Sequence, residues 1–112
     1  MEAHRRFLIV EDHPLVRDAL EMRIGTAFPD STIAYSGALL DEGLARAAEG
    51  PVDCAVLDLD LGNGRSPVLN TSDLVDAGVP VLIVSALADP ATVRASLQVG
   101  ALGFVSKQAP AE

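Results

Sequence analysis

The chain has a single cysteine, Cys54, no tryptophan, and only Phe7, Phe28, Tyr35 and Phe104 as aromatic side chains. One thiol excludes an intramolecular disulfide and a cysteine-based metal cluster, so the fold must rest on its apolar core. A reducing compartment, the cytoplasm, is the expected setting. No apolar run approaches the ~18 residues that span a bilayer, and the N-terminus lacks the basic, apolar and small-residue order of a secretory leader, so no membrane partner is expected. Linkers rich in proline and glycine, repeats and low-complexity tracts are missing too, and the 112 residues read as one unit able to bury one core. Positive charge is scarce. Eight basic residues stand against 16 acidic ones, a formal net charge of −8, which makes nucleic acid a poor direct partner because it is a polyanion. Seven of the eight are arginines, and Lys107 is the one lysine.

What is present is an alternation of short apolar runs with amphipathic segments. Arg6–Val10 (RFLIV) predicts a buried strand that stops at Glu11 and Asp12. Beyond it Leu15, Val16, Ala19, Leu20 and Ile24 recur at helical spacing as far as Phe28, with Asp12 or His13 near the cap and Pro14 in the first turn, where its missing N–H costs nothing. Residues 32–35 predict a second strand and 38–49 a second helix, stopped by Gly50 and Pro51. The theme repeats with a third strand at 54–59 (CAVLDL), a loop at 61–64, and a third helix opened by Ser66 and Pro67 that runs to about Ala77. A fourth strand at 81–84 (VLIV), a fourth helix opened by Asp89 and Pro90 and closed by Gly100, and a fifth strand at Gly103–Ser106 complete the pattern. Nearly continuous apolar strands separated by helices imply a doubly wound, five-stranded parallel α/β sheet with right-handed crossovers. In such sheets ligands bind beyond the carboxyl ends of the strands, so chemistry is sought there.

The residues at those ends are Glu11 and Asp12, then Asp58 with Asp60 behind it, then Ser85, then Lys107. Carboxylates converging on one rim repel one another unless protons or a cation intervene. Since they offer only oxygen, the expected cation is a hard one, Mg²⁺ before Mn²⁺ or Ca²⁺. A divalent ion beside a carboxylate, a hydroxyl donor and an ammonium is equipment for phosphoryl transfer: ion and ammonium neutralise the equatorial oxygens, and a carboxylate can accept the group.

With these residues in view, the chain resembles the receiver domain of bacterial two-component response regulators. The resemblance runs through LIVEDHPLVRDAL at the first strand and helix, AVLDLDLGNG at the third strand, VPVLIVSALAD at the fourth and GALGFVSK at the fifth. His13-Pro14 after the acid pair and the GALGFVSK run are most similar to the branch carrying a LuxR-type helix-turn-helix output domain. The resemblance implies a flavodoxin-like sheet of strand order 2-1-3-4-5. It also implies that Asp58 accepts a phosphoryl group from the phosphohistidine of a sensor histidine kinase. Asp12 would ligate Mg²⁺ directly, Glu11 through water, Asp58 by its side chain and Asp60 by its backbone carbonyl, a role independent of the Asp60 side chain. Ser85 would hydrogen-bond the phosphoryl group, and Lys107 would pair with it or, at rest, with Asp58. Phe104 matches the aromatic switch residue whose rotamer follows Ser85. Such a module is not an enzyme beyond autophosphorylation and autodephosphorylation, and it regulates transcription through a C-terminal DNA-binding domain that residues 1–112 do not contain.

The sequence departs from the family pattern in several places. Glu11 stands where aspartate is common, Gly62 and Gln108 where prolines are usual, and phenylalanine rather than tyrosine at position 104. The chain ends at Ala109-Pro110-Ala111-Glu112, where a fifth helix would begin, so that helix is expected to be missing, an apolar flank to be bare, and the fragment to form a homodimer or oligomer. The departures keep open a second function, a non-phosphorylated receiver-like module acting only through protein contacts. A third, weaker candidate is a haloacid-dehalogenase-type phosphatase, suggested by Asp58-Leu59-Asp60 but opposed by the acid pair coming first and by the chain's shortness. His4 and His13 are expected to face solvent without chemistry, Cys54 to pack within the sheet, and Arg17, Arg23, Arg46 and Arg94 to lie on solvated helix faces.

Overall fold

Strand and helix alternate through the described residues, and the strands form one sheet. In this computed structural model residues 4–86 and 89–107 are described. The elements are β1 (Arg6–Val10), α1 (Pro14–Ala27), β2 (Thr32–Gly37), α2 (Leu40–Ala47), β3 (Cys54–Asp58), α3 (Pro67–Asp76), β4 (Val81–Ser85), α4 (Pro90–Gln98) and β5 (Gly103–Ser106). All neighbouring strands are parallel, in the order β2-β1-β3-β4-β5. The expected architecture is therefore present, with four helices among the described residues. Gln108 and the place where a fifth helix would begin lie outside the described residues.

The start signals act as their chemistry requires. Ser66 accepts a hydrogen bond from the Val68 N–H and Asp89 from the Thr92 N–H, each followed by proline at the first helical position. Several boundaries shift by one or two residues from the sequence pattern, and two of the shifts have a visible cause. The second strand continues to Gly37 because, after a register shift between Phe7 and Leu8, Tyr35, Ser36 and Gly37 pair with Leu8, Ile9 and Val10. The second helix begins only at Leu40, and the Leu39 N–H before it donates to the Tyr35 hydroxyl at 2.9 Å, so a tertiary contact replaces a side-chain cap.

Alternation along the strands divides the core in two. Leu8, Val10, Ala55, Leu57, Val81 and Ile83 point to one face, where Leu40, Leu44 and Leu74 from α2 and α3 and Val93 from α4 cover them. Phe7, Ile9, Val56 and Val84 point the other way, and there the Phe28 ring at the end of α1 meets Phe7 with centroids 5.3 Å apart. Cys54, at the start of β3, is half-buried rather than enclosed, and burial pushes its thiol pKa up. The ladder runs one residue past three strands. Glu11 N–H donates to Gly37 O, Leu59 N–H to Val84 O and Lys107 N–H to Ser85 O, at 2.8, 2.9 and 2.8 Å. These bonds fix the backbone just where the polar residues begin.

Gly100 follows α4 with φ of +122°, and a Cβ there would stand 2.7 Å from Val75 Cγ1 on the neighbouring helix. Both the backbone conformation and the close approach require glycine. Gly100→Ala is expected to cost about 1–3 kcal/mol of stability, read as a lowered urea midpoint. Gly78→Ala, at φ of +82° with open space around the added methyl, should cost less, and the reverse order would contradict this account.

Candidate functional site

The rim beyond the carboxyl ends of β1, β3 and β5 brings together Glu11, Asp12, Asp58 and Lys107. Glu11 and Asp58 are fully buried, with 0% exposure each. Lys107 Nζ lies 2.8 Å from Glu11 Oε1 and 3.3 Å from Asp58 Oδ2, so one ammonium serves two carboxylates. Asp58 Oδ1 accepts the Asp60 N–H at 2.9 Å. Carboxylate pairs this close repel by about 3–4 kcal/mol each at an effective dielectric near 20, several times the worth of an exposed ion pair. The crowding needs positive charge, and Lys107 supplies only part of it.

Protons divide unequally between the two buried acids. Burial raises the Asp58 pKa, and the Glu11 charge adds to this against the opposing Asp60 N–H and Lys107, leaving it at about 6. Burial also pushes Glu11 upward, but hydrogen bonds from Lys107 and then His13 outweigh it and hold Glu11 below its ordinary value. Glu11 is thus the better-served anion, and Asp58 is the acid whose ionisation burial opposes more. Lys107 is held above its ordinary value: its own burial pulls the other way and is overcome by Glu11 and Asp58.

Three side chains make contacts beyond expectation. His13 faces solvent as expected, but its Nδ1 also reaches Glu11 Oε2 at 2.7 Å and Asp12 Oδ1 at 3.0 Å, with Asp58 Oδ2 at 3.9 Å. Its pKa is raised by the Glu11 hydrogen bond and the Asp12 charge. Arg17, expected on a solvated face, donates from Nη1 to the Glu11 carbonyl at 2.8 Å, because the first turn of α1 starts beside the end of β1. Asp60, expected to act only through its backbone, accepts the Ser85 hydroxyl on Oδ2 at 2.7 Å. Ser85, itself fully buried, is thereby turned to Asp60 and not to Asp58. His4 is likewise not free: its Nε2 meets the Thr32 hydroxyl at the opposite end of β1. Phe104 is half-buried against the core beside Ile83.

The loop from β3 to α3 carries an arrangement the sequence pattern did not signal. Asn63 and the buried Asn70 exchange side-chain amide hydrogen bonds at 3.1 and 3.3 Å, and Arg65 pairs with Asp73 at 2.5 Å. No periodicity announces contacts between a loop and the helix that follows it. Gly62 takes φ of +70°, a conformation that glycine adopts and proline cannot.

The donor set suits a divalent cation. Glu11, Asp12, His13 and Asp58 each present one ligand atom, all within 4.8 Å of one another. Glu11 Oε1, Asp12 Oδ1 and Asp58 Oδ2 are buried oxygens with unfilled acceptor capacity, and the Lys107 ammonium and His13 ring are their close compensation among the described residues. No described helix is long and apolar enough to cross a membrane.

Comparison with known proteins agrees with this geometry. A family model of the response regulator receiver domain matches residues 7–112. The glycerol metabolism activator of Pseudomonas putida is 33% identical over 108 residues, covering 94% of this chain and 48% of that protein. The chain therefore spans about half the length of that curated relative. Among solved structures, a LuxR-family two-component response regulator from Aurantimonas sp. aligns at a TM-score of 0.80 and 26% identity, covering 96% of this chain and 76% of the other. A Burkholderia pseudomallei response regulator, solved with a phosphorylated aspartic acid, a calcium ion and citrate, shares the fold at a TM-score of 0.79 and 22% identity, over 95% of this chain and 61% of the other. Receiver domains are phosphoacceptor signalling modules and not enzymes in the usual sense. With the acid pair, the strand-end aspartate and the lysine gathered at one rim, and the match running from Phe7 onward, this chain belongs to the response regulator receiver domain family.

Proposed function

We propose that the chain is a phosphorylation-dependent switch whose Asp58 accepts a phosphoryl group from a sensor histidine kinase. The observation that carries this is Asp58 itself: a fully buried carboxylate at the end of the central strand, 3.3 Å from an ammonium and among three further potential ligands. In the transfer an Asp58 carboxylate oxygen bonds to phosphorus, the phosphorus–nitrogen bond of the phosphohistidine breaks, and the imidazole leaves with the electron pair. Asp12 and Asp58, with Glu11 behind them and the Asp60 carbonyl, would hold Mg²⁺, which when bound neutralises oxygens of the transferring group. Lys107, now shared by Glu11 and Asp58, would turn to the new phosphoryl oxygens. Ser85 would leave the Asp60 carboxylate to donate to the same group. Phosphorylation adds about −1.5 to −2 charge and three strong acceptors, enough to draw both side chains inward and shift Phe104 on the neighbouring strand.

The wider setting extends this reading. The activator relative and the LuxR-family neighbour support a DNA-binding output domain in the whole protein and a role in transcription regulation. Residues 1–112 would be its receiver domain, acting in the cytoplasm. Exposed Leu15, Met22, Leu102 and Val105 support self-association as homodimer or oligomer.

Incubation with Mg²⁺ and a small-molecule phosphodonor should add one phosphoryl mass to the intact chain and none to Asp58→Asn. No gain, or a gain that survives the substitution, would favour a module working through protein contacts alone.

Charge in the resting rim generates two further expectations. Because the Asp58 pKa lies at about 6, above its ordinary 3.8, ionising it opposes folding. That cost is absent below about pH 4 and complete once the pH has passed well above about 6. In metal-free buffer Asp58→Asn should therefore raise the thermal midpoint at about pH 7.5, by an amount that shrinks towards about pH 5, and a gain indifferent to pH would contradict the buried-charge account. Lys107→Arg keeps the charge but sets a broad planar group between two buried carboxylates. It should lower the urea midpoint by the equivalent of about 1–3 kcal/mol, and an unchanged midpoint would count against the close fit of the ammonium.

A further inference from the structure

His13 is the residue at the rim that neither a hard-cation site nor the architecture of α1 accounts for. It occupies the N-cap position of that helix, yet its side chain makes no capping hydrogen bond and the first turn holds no acidic residue that it could serve. The ring instead turns back over the end of β1, where Nδ1 meets Glu11 Oε2 at 2.7 Å and Asp12 Oδ1 at 3.0 Å. Fully buried Asp58 directs Oδ2 into the same space, 3.9 Å from Nδ1, where it accepts no hydrogen bond and has the Lys107 ammonium at 3.3 Å, while Glu11 Oε1 faces that ammonium at 2.8 Å. One nitrogen and three carboxylate oxygens thus converge within 4.8 Å.

We propose that His13 is a metal ligand of this rim, making it a mixed nitrogen–oxygen site that takes a borderline transition ion such as Co²⁺, Ni²⁺ or Zn²⁺ in preference to Mg²⁺. The inference rests on the rim being the cation site of the function proposed above. Imidazole nitrogen suits these ions, whereas Mg²⁺ demands oxygen donors and keeps much of its water. The neutral imidazole carrying its hydrogen on Nε2 would offer the Nδ1 lone pair to the ion. Three carboxylates against Lys107 then leave two net negative charges, the complement of a divalent ion. The ring is 60% exposed, so Nε2–H can remain in water and needs no protein partner.

Residues 1–112 are titrated at fixed pH with Co²⁺ and separately with Mg²⁺, by calorimetry and by the visible d–d bands of Co²⁺, as the natural sequence, as His13→Ala and as His4→Ala. The natural chain should bind Co²⁺ at least about tenfold more tightly than Mg²⁺. His13→Ala should lose about tenfold or more in Co²⁺ affinity and shift the d–d bands while holding Mg²⁺ within about twofold. His4→Ala, altered at the far end of β1, should change neither. Pulsed electron paramagnetic resonance of bound Mn²⁺ should show coupling to an imidazole nitrogen that His13→Ala removes. An unchanged ratio of Co²⁺ to Mg²⁺ affinity, an equal loss for both ions, or no nitrogen coupling overturns the proposal. Phosphoryl gain on Asp58 is scored separately with Mg²⁺: its failure in the natural chain sinks the switch reading and leaves the metal result standing.

Discussion

Much of this structure depends on the ion cluster that joins Lys107 to Glu11 and Asp58 across the sheet. It links positions 96 residues apart, and every strand between them must take its place before the contact exists. Two fully buried carboxylates side by side would oppose folding if left alone. The ammonium and the hydrogen bonds from His13 and the Asp60 N–H together make them tolerable. That tolerance is partial. The rim keeps buried acceptor atoms and an excess of negative charge, on which the proposed cation would act.

The core explains why the rim can hold such tension. Five parallel strands place apolar side chains on both faces, and their ladder extends one residue further at Glu11, Leu59 and Lys107. The polar residues therefore hang from a backbone that is already fixed. Signalling, on the proposed reading, changes hydrogen-bond partners at the rim and leaves the sheet alone. The resting geometry shows two such exchanges in waiting, Lys107 between two acids and Ser85 on Asp60.

A parallel α/β sheet was legible because the three central strands are short branched-apolar runs and three of the four described helices open with a first-turn proline. From that topology alone Glu11, Asp12, Asp58, Ser85 and Lys107 had to share one end of the sheet. The contact of solvent-facing His13 with the acids was not foreseen because an isolated imidazole after a strand carries no periodic signal. Arg17 was misread because helical position says which face it occupies but not how far a long side chain reaches. The Asp60 carboxylate was discounted because the expected role lay in its carbonyl.

The sequence by itself determined the order of elements, the parallel sheet and the identity of the residues at its carboxyl rim, because hydrophobic period and capping chemistry are local properties. Only the tertiary structure decided how those residues share charge: that Glu11 rather than Asp58 is the better-served anion, that Ser85 rests on Asp60, and that His13 faces the acids. Proton positions and hydrogen-bond partners depend on burial and on distances of a few ångströms between groups far apart in the chain, and neither is written in local pattern.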